Sequence, residues 1–207
     1  MDYKNFLLRL LFSTIFISIY IFCIYFNLNY VFYLILIIYF LTLIEIVIYF
    51  QKFKLIPILY IFVSFIFFLE IDFSNKYFLK FNLFIIIVIT FDIFCYIFGK
   101  FYGKNKLIKI SPNKTYEGLL GGILVSSLSS LFFSYLFNIN INLELIIFIF
   151  FITLSAFIGD ITESYFKRKN NLKNSSEFIP GHGGVFDRFD SFLFSIIIYS
   201  IFINYSL

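Results

Sequence analysis

The chain has 207 residues, of which 61% are hydrophobic and only 14% charged, with a mean hydropathy of +0.97 and a formal net charge of +4. A soluble domain is about 45–50% apolar and about 25% charged, so an ordinary water-soluble fold is excluded. A net charge this small selects no partner, because basic loops beside a bilayer attract anionic lipid in general. A spanning helix needs about 20 mainly apolar residues. Seven runs meet or approach that length: 6–26, 30–50, 55–71, 82–98, 118–137, 143–160 and 189–206, the third being short. The first is too long for a signal-peptide core and lacks a small-residue cleavage site, so it reads as a retained span. Cys23 and Cys95 lie inside apolar runs without zinc or disulfide spacing. Phe (35) and Tyr (16) are abundant while Trp is absent. Phe, Ile, Tyr, Asn and Lys share AT-rich codons, so the aromatic excess reads as base composition before it reads as stacking chemistry.

The expected fold is therefore an all-α integral membrane protein with about seven transmembrane helices. Residues 1–80 would form three N-terminal spans, and 81–207 a catalytic membrane domain of four spans with two polar loops. Cytoplasmic loops carry an excess of Lys and Arg. With the N-terminus inside, all but Lys76 and Lys80 of the 16 basic residues fall on the cytoplasmic side. The outer connections 27–29 and 138–142 carry no charge. The loops 99–117 and 161–188 hold most of the Gly and Pro, the single His and most ionisable groups, and both face the cytoplasm. Function in such a protein is sought where polar residues concentrate.

Several carboxylates interrupt or border the apolar runs. One at mid-membrane costs at least about 2.5–3.5 kcal/mol on insertion scales, so it faces a cavity or a partner. Glu45 lies well inside the second run and reads first as structural. Asp92 lies about 9 Å from the inner end of the fourth, at 1.5 Å per residue. It bridges helices or lines a site. Asp160 closes the sixth run, and Asp187 and Asp190 open the seventh. The latter two are three apart and share a helix face. Three converging carboxylates repel unless a cation lies between them, and hard oxygen ligands suit Mg²⁺. The competing reading is plain interfacial charge, since Asp at a helix N-terminus is favourable for dipole reasons alone.

Pro180-Gly181-His182-Gly183-Gly184 precedes Asp187-Arg188-Phe189-Asp190. Glycine lets backbone N–H groups approach phosphate, the helix start offers more of them, and Arg188 can grip phosphate in a bidentate manner. A simple turn accounts for Pro and Gly but not for the His, Arg and two Asp crowded beside them. Ser111-Pro112-Asn113-Lys114-Thr115-Tyr116-Glu117-Gly118 offers a second basic loop before a helix with small residues at its start.

Ser164-Tyr165-Phe166-Lys167-Arg168, Lys173, and then Ile179 through Asp190 resemble the signature of the phosphatidate cytidylyltransferases, or CDP-diacylglycerol synthases. Gly159-Asp160, Glu163-Ser164, Asp92 with Tyr96 and Gly99, Gly103-Lys104 and the Ser111–Gly118 loop fit the same family. The resemblance covers roughly residues 90–191. Where the signature has Asp after the lysine matched by Lys173, this chain has Asn174, which keeps an oxygen and gives up the charge. The resemblance implies a Mg²⁺-dependent reaction of CTP with phosphatidic acid, giving CDP-diacylglycerol and pyrophosphate. It implies Asp160, Asp187 and Asp190 at the metal, and Lys167, Arg168, Lys173 and Arg188 on phosphates. His182 would contact the leaving group. Asp92, Ser111, Lys114, Thr115, Ser164, Gly183 and Gly184 would line the nucleotide or lipid head-group site. The implied partners are CTP, phosphatidic acid and the bilayer of a bacterial inner membrane. No nucleic acid is expected, and a homodimer is compatible. Two other readings stay open: a related lipid or isoprenoid nucleotidyl- or phosphotransferase, and a transporter lined by Glu45 and Asp92. The one-sided clustering of polar groups and the lack of inverted repeats weigh against the transporter.

Overall fold

A computed structural model describes residues 3–73, 75–108, 110, 111, 114–178 and 183–206, with side chains in these ranges apart from 3–10, 12, 13, 75, 76, 205 and 206. Seven helices follow one another: α1 (Tyr3–Phe26), α2 (Asn29–Tyr49), α3 (Leu55–Leu69), α4 (Asn75–Tyr102), α5 (Tyr116–Leu136), α6 (Leu143–Lys169) and α7 (Phe186–Ser206). Among the described residues there is no strand, only an isolated antiparallel bridge between Lys106 and Thr115. In lipid every backbone polar group must be satisfied internally, which is why long apolar runs become helices. Each predicted run coincides with one helix to within a few residues at most ends. The largest departures are α4, which starts at Asn75, and α6, which continues past the apolar run to Lys169. The α6 extension is amphipathic and carries Glu163 and Lys167 as an ion pair at i and i+4.

Four helices are long and apolar enough to cross a bilayer: Asn29–Tyr49, Tyr77–Tyr102, Tyr116–Leu136 and Leu143–Lys169. Thr14–Phe26 and Leu55–Leu69 are shorter apolar helices. The protein is thus a multi-pass membrane protein. Helix ends are set by local chemistry. Thr115 caps α5 by accepting the Gly118 N–H at 3.1 Å, and Asn142 caps α6 by accepting the Leu145 N–H at 2.9 Å. Lys167, Arg168 and Lys169 close α6, where its dipole favours cations.

The helices pack pairwise, α4 on α5 and α6 on α7, with α3 against α7. α5 turns Gly118, Gly121, Gly122, Ser126, Ser130 and Ser134 inward, a small-residue face that admits the α4 backbone closely. The principal apolar core runs from Cys23 to Ile203 and is rich in aromatic rings, with Phe81, Phe84 and Phe148 each packed against the Tyr199 ring. A short polar chain crosses it. Tyr39 Oη lies 2.6 Å from Ser64 Oγ, which in turn donates to the Leu193 carbonyl at 2.6 Å. That chain ties α2, α3 and α7 together without a charge.

Candidate active site

The polar groups converge where the C-terminal ends of α4 and α6 meet the N-terminal ends of α5 and α7. The segment between α4 and α5 is a narrow loop. Leu107 N–H donates to the Lys114 carbonyl at 2.9 Å and Tyr116 N–H to the Asn105 carbonyl at 3.1 Å. The Glu117 carboxylate accepts from the backbone N–H groups of Lys104 and Asn105 and from the Asn105 side chain. This frame aims Lys114 inward. It is 9% exposed, pairs with Asp160 Oδ2 at 2.7 Å and sits over the Phe157 ring at 5.4 Å.

One face of α6 supplies Asp160, Glu163 and Lys167, spaced i, i+3 and i+7. The first turns of α7 supply Asp187 and Asp190. Gly159 allows the two helices to meet, since a Cβ there would stand 2.5 Å from the Asp190 carbonyl oxygen. One oxygen each of Asp160, Glu163 and Asp190 lie within 4.8 Å of one another. Asp190 Oδ1 accepts the Ser191 N–H at 2.9 Å, and Asp92 Oδ1 accepts the Ser191 hydroxyl at 2.8 Å, which brings α4 into the same cluster.

Asp187 lies on the far side of Lys167. The Lys167 ammonium bridges Glu163 Oε2 and Asp187 Oδ1, at 2.7 Å from each. Asp187 also accepts the Ser175 N–H at 3.0 Å and the Gly184 N–H at 2.9 Å. Burial alone would raise its pKa. Hydrogen bonding with Glu163, the Lys167 charge and the Gly184 N–H outweigh that and hold the carboxyl down at about 2. Gly183 has φ +86°, a conformation that favours glycine, and a side chain there would collide with Asp187 Oδ2.

The structure therefore distributes the expected site residues unevenly. Asp160 and Asp190 converge, but the third carboxylate beside them is Glu163, while Asp187 is engaged by Lys167 and two backbone N–H groups. Lys114 and Asp92 belong to the cluster. Thr115 is an N-cap and Ser111 supplies a carbonyl to the Lys114 N–H at 3.0 Å. Ser164 is buried. Arg168 is exposed and donates to the Leu172 carbonyl at 2.9 Å; Lys173 and Arg188 are also exposed. His182 lies outside the described residues. Asn174 is exposed, and a side chain at Gly183 would touch its Cβ at 3.5 Å. Glu163, Ser175 and Ser191 were absent from the expected set. Glu163 was readable from its spacing to Asp160 and Lys167; the two serines carry no signal in sequence.

Five carboxylates gather here, Asp92, Asp160, Glu163, Asp187 and Asp190, against the ammonium groups of Lys114 and Lys167 that contact them. Glu163 Oε1 is buried and receives no hydrogen bond among the described residues. Five acidic side chains, one of them with a buried oxygen that receives no hydrogen bond, set against two ammonium groups fit a hard divalent cation.

The sequence model of the cytidylyltransferase family matches residues 47–206. A phosphatidate cytidylyltransferase of Staphylococcus epidermidis is 40% identical over 153 residues, covering 72% of this chain and 57% of the relative. One of Helicobacter pylori is 36% identical over 153 residues, covering 69% and 53%. One of Staphylococcus aureus is 41% identical over 121 residues, covering 57% and 46%. The chain spans about half the length of the curated relatives it matches.

Proposed function

Because the chain belongs to the cytidylyltransferase family, we propose that it transfers CMP from CTP to phosphatidic acid, giving CDP-diacylglycerol and pyrophosphate. The observation that carries this reading is the convergence of Asp160, Glu163 and Asp190 between Lys114 and Lys167, at one end of a helical membrane bundle. The relatives' names supply the substrate pair.

A phosphate oxygen of phosphatidic acid forms a bond to the α-phosphorus of CTP, and the bond from that phosphorus to the β-phosphate bridge oxygen breaks. The nucleophile is already anionic near neutral pH, so no strong general base is needed. The difficulty is bringing two anions together in line. Asp160, Glu163 and Asp190 would hold Mg²⁺, with Asp92 lining the same cavity. When bound, Mg²⁺ would neutralise phosphate charge and help orient the reacting groups. Lys114 and Lys167 offset the charge of the carboxylates they contact. Lys173, Arg188 and Arg168 are placed to receive phosphate oxygens. Asp187 holds Lys167 in position through the ion pair at 2.7 Å.

The topology we propose has seven spans, a cytoplasmic N-terminus and the site facing the cytoplasm of a bacterial inner membrane. The distribution of Lys and Arg supports it, as does the meeting of alternate helix ends at the site. CTP and phosphatidic acid would arrive there from the aqueous phase and the bilayer respectively.

The test is incorporation of labelled CTP into lipid by purified protein with phosphatidic acid and Mg²⁺. Product should form, and Asp190→Ala should abolish it while the protein still inserts. Absence of product from the wild type, with Asn174→Asp also inactive, would reject the enzyme reading.

A further inference from the structure

Glu45 sits on α2, two residues before the stretch that the family model matches, and is fully buried. Among the described residues it forms no ion pair. What it meets is the active-site loop. Its Oε2 accepts the backbone N–H of Phe186, the first residue of α7, at 3.0 Å, across 141 residues of sequence. Its Oε1 and the Ser175 Oγ both lie beside Gly184, and neither has a hydrogen-bond partner among the described residues. A Cβ at Gly184 would collide with Glu45 Oε1 and with Ser175 Oγ.

Two of these contacts are with residues that grip Asp187. Ser175 and Gly184 provide the two backbone N–H groups on its carboxylate. The loop thus has two occupied sides. One presents N–H groups to Asp187, and the other is held by Glu45. Asp187 in turn anchors Lys167, and Lys167 anchors Glu163 beside Asp160 and Asp190.

We propose that Glu45 is a positioning residue for the reaction, fixing Gly184 and the start of α7 so that Asp187 holds Lys167 against the carboxylate cluster. This rests on the cytidylyltransferase reading above. Plain helix packing would be served by an apolar residue at lower cost, and here one carboxylate oxygen, Oε2, is used by the Phe186 N–H. An anion at the N-terminus of α7 is also favoured by the helix dipole. Glu45 is fully buried, so its proposed effect runs through Gly184 and the start of α7.

The experiment compares wild type, Glu45→Ala and Glu45→Gln, purified in lipid nanodiscs, by steady-state kinetics and by amide hydrogen exchange over residues 173–190. Glu45→Ala should lower kcat by about 10–100-fold, the range seen when groups supporting a metal site are removed. KM for phosphatidic acid should be unchanged. The Ser175, Gly184 and Phe186 amides should exchange faster. Glu45→Gln keeps an acceptor for the Phe186 N–H and should recover most of the loss. Wild-type kcat per folded molecule in Glu45→Ala would overturn the proposal, as would activity lost only in proportion to folded protein. If Glu45→Ala does not fold, Glu45→Asp replaces it. Its shorter side chain should miss the Phe186 N–H and give the same kcat loss at unchanged KM, and wild-type kcat there would overturn the proposal. If wild-type protein makes no CDP-diacylglycerol, the function reading has failed separately. The exchange measurement still tests the clamp, and unaltered exchange in Glu45→Ala would reject it.

Discussion

Asp160, Asp187 and Asp190 form the expected metal set, and the structure brings Glu163 within 4.8 Å of Asp160 and Asp190. Asp187 shares a helix face with Asp190 and is engaged by Lys167 and two backbone N–H groups. Glu163 keeps a buried oxygen without a donor. Glu163→Gln preserves shape and removes one negative charge. It should raise the Mg²⁺ concentration needed for half-maximal activity by about 10–100-fold, read from a Mg²⁺ titration of CTP incorporation. An unchanged titration would exclude Glu163 from the metal site. Asp187→Asn places an amide where two N–H groups and an ammonium all need an acceptor. A donor facing donors leaves buried groups unpaired, at about 1–3 kcal/mol each. Turnover should fall severely and thermal stability with it, and retention of both would show that the Lys167 bridge is dispensable. The i, i+3, i+7 spacing of Asp160, Glu163 and Lys167 made the α6 face legible in sequence. The orientation of Asp187 was not legible, because it depends on Ser175 and Gly184 backbone donors that only the folded loop brings to it.

The helices place these groups through two devices. One is the extension of α6 beyond its apolar run, which carries Glu163 and Lys167 out of the bilayer core as a continuous helix ending at Lys169. Hydropathy ends the span at 160, yet helix formation continues because the pair at i and i+4 supports it. The other is the close crossing of α6 and α7 at Gly159. With only 2.5 Å between a Cβ there and the Asp190 carbonyl, Gly159→Ala forces the helices apart. Overpacking of this kind costs about 1–3 kcal/mol. The variant should melt at a lower temperature in detergent and lose CTP incorporation, because Asp160 and Asp190 separate. A variant as active as wild type would show that the crossing does not set the cluster. At the other wall of the site, Thr115→Ala removes the α5 cap and should cost about 1 kcal/mol. Lys114, one residue away, then loses part of its frame, so a measurable drop in turnover should accompany the lower melting temperature.

The molecule as a whole is a bundle with chemistry at one end and lipid-compatible surface along most of its length. Exposed Leu120, Leu124, Leu128 and Phe132 along α5 are ordinary for a face toward acyl chains. Its orientation is checked by single substitutions to cysteine in a background where Cys23 and Cys95 are replaced. Lys173→Cys should react with an impermeant maleimide only after cells are opened, and Asn140→Cys should react in intact cells. The reverse pattern would invert the proposed topology. Helix number and the end of the bundle that carries polar groups follow from the amino-acid sequence, because a bilayer leaves an apolar backbone one local solution, and apolar run length is a local property. Which carboxylates converge, which one holds a lysine, and why Glu45 is buried belong to the packing of helices against each other. Those contacts join residues as far apart as Glu45 and Phe186, and no local periodicity records the rotation and closeness of two helices at their crossing.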